Sequence, residues 1–137
     1  MNKLPNPMSD MSFEGKRILY LEDEPLIAFD TSENLSDMGF ADVTTVYRLD
    51  EAISRSEQGN FDIALLDINV DCGRTSFDLG KTLRDKGVSV IYASGNSSDC
   101  QRLRAEGYHF VGKPVLASDL ETTLKAALDL QQNADAA

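Results

Sequence analysis

Apolar residues along the chain concentrate in five short runs: RILYL (17–21), ADVTTV (41–46), DIALLD (62–67), VSVIYAS (88–94) and YHFVG (108–112). The third and fourth are almost continuously apolar, as expected of strands buried on both faces of a parallel sheet, while the weaker second suits an edge. Between the runs the spacing becomes helical. From Pro25, well suited to a first helical position, Leu26, Ile27, Phe29, Leu35 and Met38 mark a face that ends at Gly39. A shorter helix is predicted over 49–58, stopped by QGN, and Phe77, Leu79 and Leu83 mark another that stops at Gly87. Residues 97–107 predict a polar helix with Cys100 and Leu103 turned inward. In the last helix Ser118 is the predicted cap and Glu121 completes a capping box, with Leu120, Leu124 and Leu128 at helical spacing.

Strand and helix therefore alternate five times with short connections, which predicts an α/β fold with a parallel sheet covered on both faces. The 137 residues fit one domain with a sizeable core. Residues 1–15, with two prolines and few residues fit for burial, read as a flexible lead-in. Residues 16–130 make the folded domain, and 131–137 a tail that frays.

In such sheets ligands bind at the carboxyl ends of the strands. There the chain places LEDEP after the first run (Glu22, Asp23), Asp67 after the third, Ser94-Gly95 after the fourth and Lys113-Pro114 after the fifth. An acid that closes a buried run, as Asp67 does, is costly without a partner or a task. Three carboxylates crowded together repel unless a hard cation joins them, and oxygen ligands suit Mg²⁺. Mg²⁺ and Lys113 together would neutralise a phosphoryl group arriving at Asp67, with Asp67 as nucleophile and Ser94 as a donor to a phosphoryl oxygen. Singly these residues are ordinary: a strand-end acid, an acidic turn complementing a helix dipole, a surface lysine, a turn serine. Their joint placement carries the signal.

Charge and cysteine content narrow the field. Thirteen basic against 23 acidic residues give a net charge of −10, which argues against broad nucleic-acid contact. No run approaches the roughly 18 apolar residues of a membrane span, and the amino terminus has no apolar core of a secretory signal. Cys72 and Cys100 stand far apart in polar contexts, as in a reduced, cytoplasmic protein. His109 is the only histidine and there is no Cys-x-x-Cys pair, so zinc is not expected.

The acidic pair Glu22-Asp23, Asp67, Ser94 and Lys113-Pro114, in this order and each at the end of its strand, resemble a response-regulator receiver (CheY-like) domain of two-component signalling. The resemblance covers roughly residues 16–130. It implies the doubly wound, flavodoxin-like fold, a five-stranded parallel sheet with five helices. It also implies phosphorylation of Asp67 by a sensor histidine kinase or a phosphotransfer protein, with Mg²⁺ held by Glu22, Asp23, Asp67 and the backbone carbonyl of Asn69. Lys113 would pair with the phosphoryl group, Ser94 would move toward it, and Phe110 stands where relatives carry a switching aromatic. The segment INVDCGRTS after Asp67 lacks the proline and later glycine common in relatives, which implies a loop of different shape. VSVIYASGNSS is similar in part to a stand-alone alphaproteobacterial subgroup with a Phe-Ala-Thr-Gly strand end, Tyr92 and Ser94 replacing Phe and Thr.

On this reading the chain is not an enzyme toward other molecules and promotes only its own phosphorylation and dephosphorylation. A dehalogenase-type phosphatase would carry a second acid at position 69, where Asn69 cannot protonate a leaving group, and no phosphate loop is present. The alternative is a receiver-like binding module that is never phosphorylated. With 24 residues after Lys113, output is expected through a downstream protein partner, or the protein drains phosphate from a shared kinase. Asn69 and Asn96 flank the phosphoryl position and are expected to influence its lifetime.

Overall fold

The computed structural model describes residues 12–136. Residues 1–11 of the expected lead-in and residue 137 of the tail lie outside the described residues. The elements are β1 (Arg17–Leu21), α1 (Pro25–Asp37), β2 (Asp42–Val46), α2 (Leu49–Gln58), β3 (Ile63–Asp67), a single 3₁₀ turn (Asp71–Gly73), α3 (Phe77–Asp85), β4 (Ser89–Ser94), α4 (Ser97–Ala105), β5 (His109–Gly112) and α5 (Ala117–Ala136). All strand pairs are parallel, in the order β2-β1-β3-β4-β5. The fold is the doubly wound five-stranded sheet with five helices, and β2 is an edge as its weaker pattern predicts.

Alternation along the strands sorts side chains into two cores. Ile18, Tyr20, Ile63, Leu65, Ile91, Ala93 and Val111 meet Ala28 and Leu35 of α1 and Leu120, Leu124 and Leu128 of α5. Leu19, Leu21, Ala64, Leu66, Val90 and Tyr92 meet Ala52 of α2, Leu79 and Leu83 of α3 and Leu103 of α4. A strand covered on both sides has no polar face to show, which is why all five residues of β3, Asp67 included, are buried. After β1 the chain lays β2 on one side and then returns to lay β3 on the other. The carboxyl ends of β1 and β3 are therefore adjacent at the point where the strand order reverses, the place where such sheets leave a crevice.

Three local features differ from the sequence pattern. Phe13, inside the expected lead-in, is 1% exposed and stacks on Phe40 with ring centroids 4.7 Å apart, so packed structure already begins there. The last helix starts at Ala117, with the Leu120 amide bonded to the Leu116 carbonyl at 2.9 Å. Ser118 is thus inside the first turn rather than its cap, and Glu121 pairs with Lys125 at 3.5 Å. Val115 and Leu120 are both drawn into the core beneath α5, which starts the helix earlier than the capping pattern predicts. Of the stretch expected to fray, residues 131–136 continue α5.

Candidate phosphoryl and metal site

The end of β1 leads directly into α1, whose first residue is Pro25. Glu22 and Asp23 are held in that short passage. Glu22 is 2% exposed, and its amide donates to the Val46 carbonyl at 3.1 Å, as if continuing the ladder. Its Oε2 accepts from the Glu24 amide at 3.1 Å. Asp23 is exposed. Asp67, the last residue of β3, is 5% exposed. Each of Glu22, Asp23 and Asp67 offers a carboxylate oxygen, and the three oxygens lie within 4.8 Å of one another. From the far side of the sheet Lys113 reaches in just after β5, its Nζ 2.8 Å from Asp67 Oδ1 and 3.3 Å from Glu22 Oε1. Its own amide donates to the Ser94 carbonyl at 2.9 Å. Four residues expected from sequence to meet thus do meet.

Burial sets the electrostatics. It pushes the Glu22 carboxyl up to about 7, with Asp67 adding to the rise while the Glu24 amide and Lys113 oppose it. The Asp67 carboxyl is likewise raised by burial, against the pull of Lys113. Burial alone would lower the Lys113 ammonium, but its hydrogen bond to Asp67 and the charges of Asp67 and Glu22 outweigh that and hold it above its usual range. Lys113 therefore stays charged, and the two buried carboxylates keep it so.

The donor set suits a hard divalent cation. Three carboxylates and no nitrogen or sulfur ligand favour Mg²⁺ over a softer metal. Asn69 follows Asp67 by two residues and is exposed. It faces Thr75 across an isolated antiparallel bridge, whose rungs run from the Ser76 amide to the Ile68 carbonyl and from the Val70 amide to the Arg74 carbonyl. In such a pair the residues between the rungs point their own backbone groups away from the partner, so the Asn69 carbonyl stands outside this ladder. Glu22, Asp23 and Asp67 together offer an all-oxygen donor set of the kind such an ion takes.

Ser94 ends β4 beside Asp67 but is turned elsewhere. Its hydroxyl donates to the Asn96 carbonyl at 3.1 Å and accepts from the Asn96 amide at 3.0 Å. Asn96 in turn caps α4, its Oδ1 accepting from the Ser98 amide at 2.8 Å. Phe110 is half-buried, packed against the core under α2, α3 and α4, with the Arg104 guanidinium 5.4 Å from its ring centre.

Sequence reasoning missed two further groups. Ser76, 0% exposed, donates its hydroxyl to the Asp67 main-chain carbonyl at 2.7 Å. Asp71 accepts from the Leu49 amide at 2.9 Å and so ties the loop after β3 to the start of α2, where Arg74 also pairs with Asp50 at 2.9 Å. A serine and an aspartate in a polar loop carry no periodicity, and only the three-dimensional closure of the loop gives them partners.

A family model described as the response regulator receiver domain matches residues 18–125. No curated protein gives a match. Among solved structures, a response regulator receiver domain protein (CheY-like) from Methanospirillum hungatei JF-1 is 26% identical with a TM-score of 0.75, over 88% of this chain and 98% of that one. The chemotaxis protein CheY4 of Vibrio cholerae is 22% identical with a TM-score of 0.71, over 82% and 98%. The anti-anti-sigma factor PhyR of Bartonella quintana is 23% identical with a TM-score of 0.75, over 88% of this chain but 50% of that one. At those identities the last two likenesses carry the fold alone. Among the described residues no helix is long and apolar enough to cross a membrane.

Proposed function

The chain belongs to the response regulator receiver domain family, and from that premise we propose that it is a single-domain response regulator whose Asp67 accepts a phosphoryl group. The donor is a sensor histidine kinase or a phosphotransfer protein. An Asp67 carboxylate oxygen attacks phosphorus, the bond from phosphorus to the imidazole nitrogen breaks, and its electron pair stays with the imidazole. The product is an acyl phosphate on Asp67. The observation that carries this reading is the convergence of Glu22, Asp23 and Lys113 on Asp67 at the end of β3.

Each side chain has a defined task. Lys113 lowers the cost of ionising a buried nucleophile and then pairs with the phosphoryl oxygens that Asp67 has gained. Glu22, Asp23, Asp67 and the Asn69 carbonyl would hold Mg²⁺. When bound, the ion supplies positive charge that offsets crowding between carboxylates and phosphoryl oxygens. Ser94 would leave its Asn96 contacts to donate to a phosphoryl oxygen, so that phosphorylation favours one of two arrangements through new contacts. Signal output passes through a downstream protein partner, or the domain drains phosphoryl groups from a shared kinase. The net charge of −10 weighs against nucleic acid as that partner, and phosphotransfer from a kinase suits a cytoplasmic location.

The test is intact mass after incubation with a small phosphodonor, for the unaltered chain and Asp67→Asn, with and without Mg²⁺. A gain of one phosphoryl mass in the unaltered chain alone, dependent on Mg²⁺, is expected. No gain even with a purified donor kinase would favour a receiver-like module that works by contact and is not phosphorylated.

A further inference from the structure

Ser76 stands at the N-cap of α3. A serine there ordinarily turns its oxygen onto the amides of the first helical turn. Ser76 makes no such bond. Its hydroxyl points back to β3 and donates to the Asp67 carbonyl at 2.7 Å, while its amide donates to the Ile68 carbonyl at 3.0 Å. The residue is 0% exposed, so neither bond competes with water.

These two bonds hold consecutive carbonyls, those of Asp67 and Ile68, immediately before Asn69. The amide bond is also one of the two rungs that leave the Asn69 carbonyl outside the ladder. We infer that Ser76 is a positioning residue for the metal and phosphoryl site: it forgoes capping α3 and instead fixes the backbone that aims the Asp67 carboxylate and the Asn69 carbonyl. The inference rests on the function proposed above. Groups that orient metal ligands without touching the metal commonly change affinity by about 10–100-fold when lost, and the Ser76 hydroxyl is placed to do so.

Ser56 provides a matched control. It is 7% exposed and donates its hydroxyl to the Ile53 carbonyl at 2.7 Å within α2, remote from the cluster. Mg²⁺ titration by calorimetry on the unaltered chain, Ser76→Ala, Ser76→Cys and Ser56→Ala separates positioning from general support, with folding checked by circular dichroism. Cysteine keeps a side chain at this position but offers only a weak donor, on a larger sulfur. Both Ser76 variants are expected to raise the Mg²⁺ Kd by about tenfold or more, and Ser56→Ala to leave it within about twofold. Ser76 variants that bind Mg²⁺ like the unaltered chain would overturn the positioning role alone. So would Ser76 variants that cannot fold, since the bond would then be a folding requirement. If the unaltered chain takes up no Mg²⁺, the proposed function falls and this inference with it.

Discussion

Lys113 holds its Nζ 2.8 Å from Asp67 Oδ1, and the same ammonium sits 3.3 Å from Glu22 Oε1, so one cation serves two carboxylates that are both almost wholly buried. Removing it leaves two carboxyls in a space with little water, where they must either repel as carboxylates or take up protons. Lys113→Met should therefore destabilise the metal-free domain at neutral pH. The loss should fall below the ~3–5 kcal/mol typical of breaking a fully enclosed ion pair, because the Lys113 side chain keeps 27% of its exposure. A loss of roughly 2 kcal/mol is expected in urea unfolding with a chelator present, and Mg²⁺ should restore part of it by binding only the folded state. An unchanged midpoint would mean that the lysine charge does not support the carboxylates.

The pH dependence follows from the same burial. Glu22 binds its proton more tightly folded, at about 7, than in the unfolded chain, near 4.3. Its contribution is fully present below the unfolded value and is lost as pH rises through about 7. Asp67, also raised, acts in the same direction. In chelator, the melting temperature should fall between pH 5 and pH 8, about the span set by Glu22. His109 works the other way: burial, aided by Arg84, lowers its proton affinity, so its contribution is lost as pH falls. His109→Gln removes that opposing slope. In that background Glu22→Gln should flatten most of the decline and stabilise the metal-free domain at pH 8 by roughly 2–3 kcal/mol. A decline unaltered by Glu22→Gln would assign it to other groups.

What the sequence revealed and what it hid divide along physical lines. The continuous apolar runs of β3 and β4 announced strands covered on both faces, and the acids, hydroxyl and lysine at strand ends announced where chemistry would gather. Such signals are local, because a strand end is fixed by where its apolar run stops. Phe13, Ser76 and Asp71 were not legible. Phe13 earns its burial from Phe40, which follows α1, and neither ring signals the other. Ser76 and Asp71 find their partners only once the loop after β3 has folded back over α2 and α3. The capping box at Ser118 failed for a related reason, since burial of Leu120 and packing of the half-buried Val115 against the core outweighed the local preference. Asn96 shows the converse: its neighbour Ser94 is visible as a candidate donor, but its grip on that hydroxyl exists only once the turn into α4 has formed.

That grip predicts how phosphorylation would reach α4. The Asn96 backbone brackets the Ser94 hydroxyl while its side chain caps α4, so drawing Ser94 toward a phosphoryl group disturbs the residue that starts the helix. Amide hydrogen exchange at the first turn of α4 should speed up on phosphorylation, by about 5-fold or more if the coupling exceeds 1 kcal/mol. Ser94→Ala should accept the phosphoryl group and lose most of that response. Asn96→Ala should cost about 1 kcal/mol of stability through the lost cap and show fast exchange there already before phosphorylation. Equal responses in the unaltered chain and Ser94→Ala would remove Ser94 from the relay.

Gly80 and Tyr92 yield a prediction about packing. Gly80 is buried in the middle of α3, where alanine would ordinarily gain about 1 kcal/mol in helix propensity. A Cβ at Gly80 would run into the Tyr92 hydroxyl and lie 2.6 Å from Tyr92 Cζ and 3.2 Å from Cε1. The ring cannot easily retreat, because Phe77 and Tyr108 pack on it at centroid distances of 5.5 and 5.2 Å. Gly80→Ala should therefore destabilise by about 1–3 kcal/mol, the range for overpacking, despite the propensity gain. Tyr92→Phe alone gives up only a long 3.4 Å hydrogen bond to the Phe77 carbonyl and should cost less than about 1 kcal/mol. Combined with Gly80→Ala it removes the worst clash but leaves the Cζ contact, so part of the loss should return. A double-mutant cycle by urea unfolding reads that coupling directly. Strict additivity would show that α3 shifts away from the sheet to make room, and that the glycine is not there for the tyrosine.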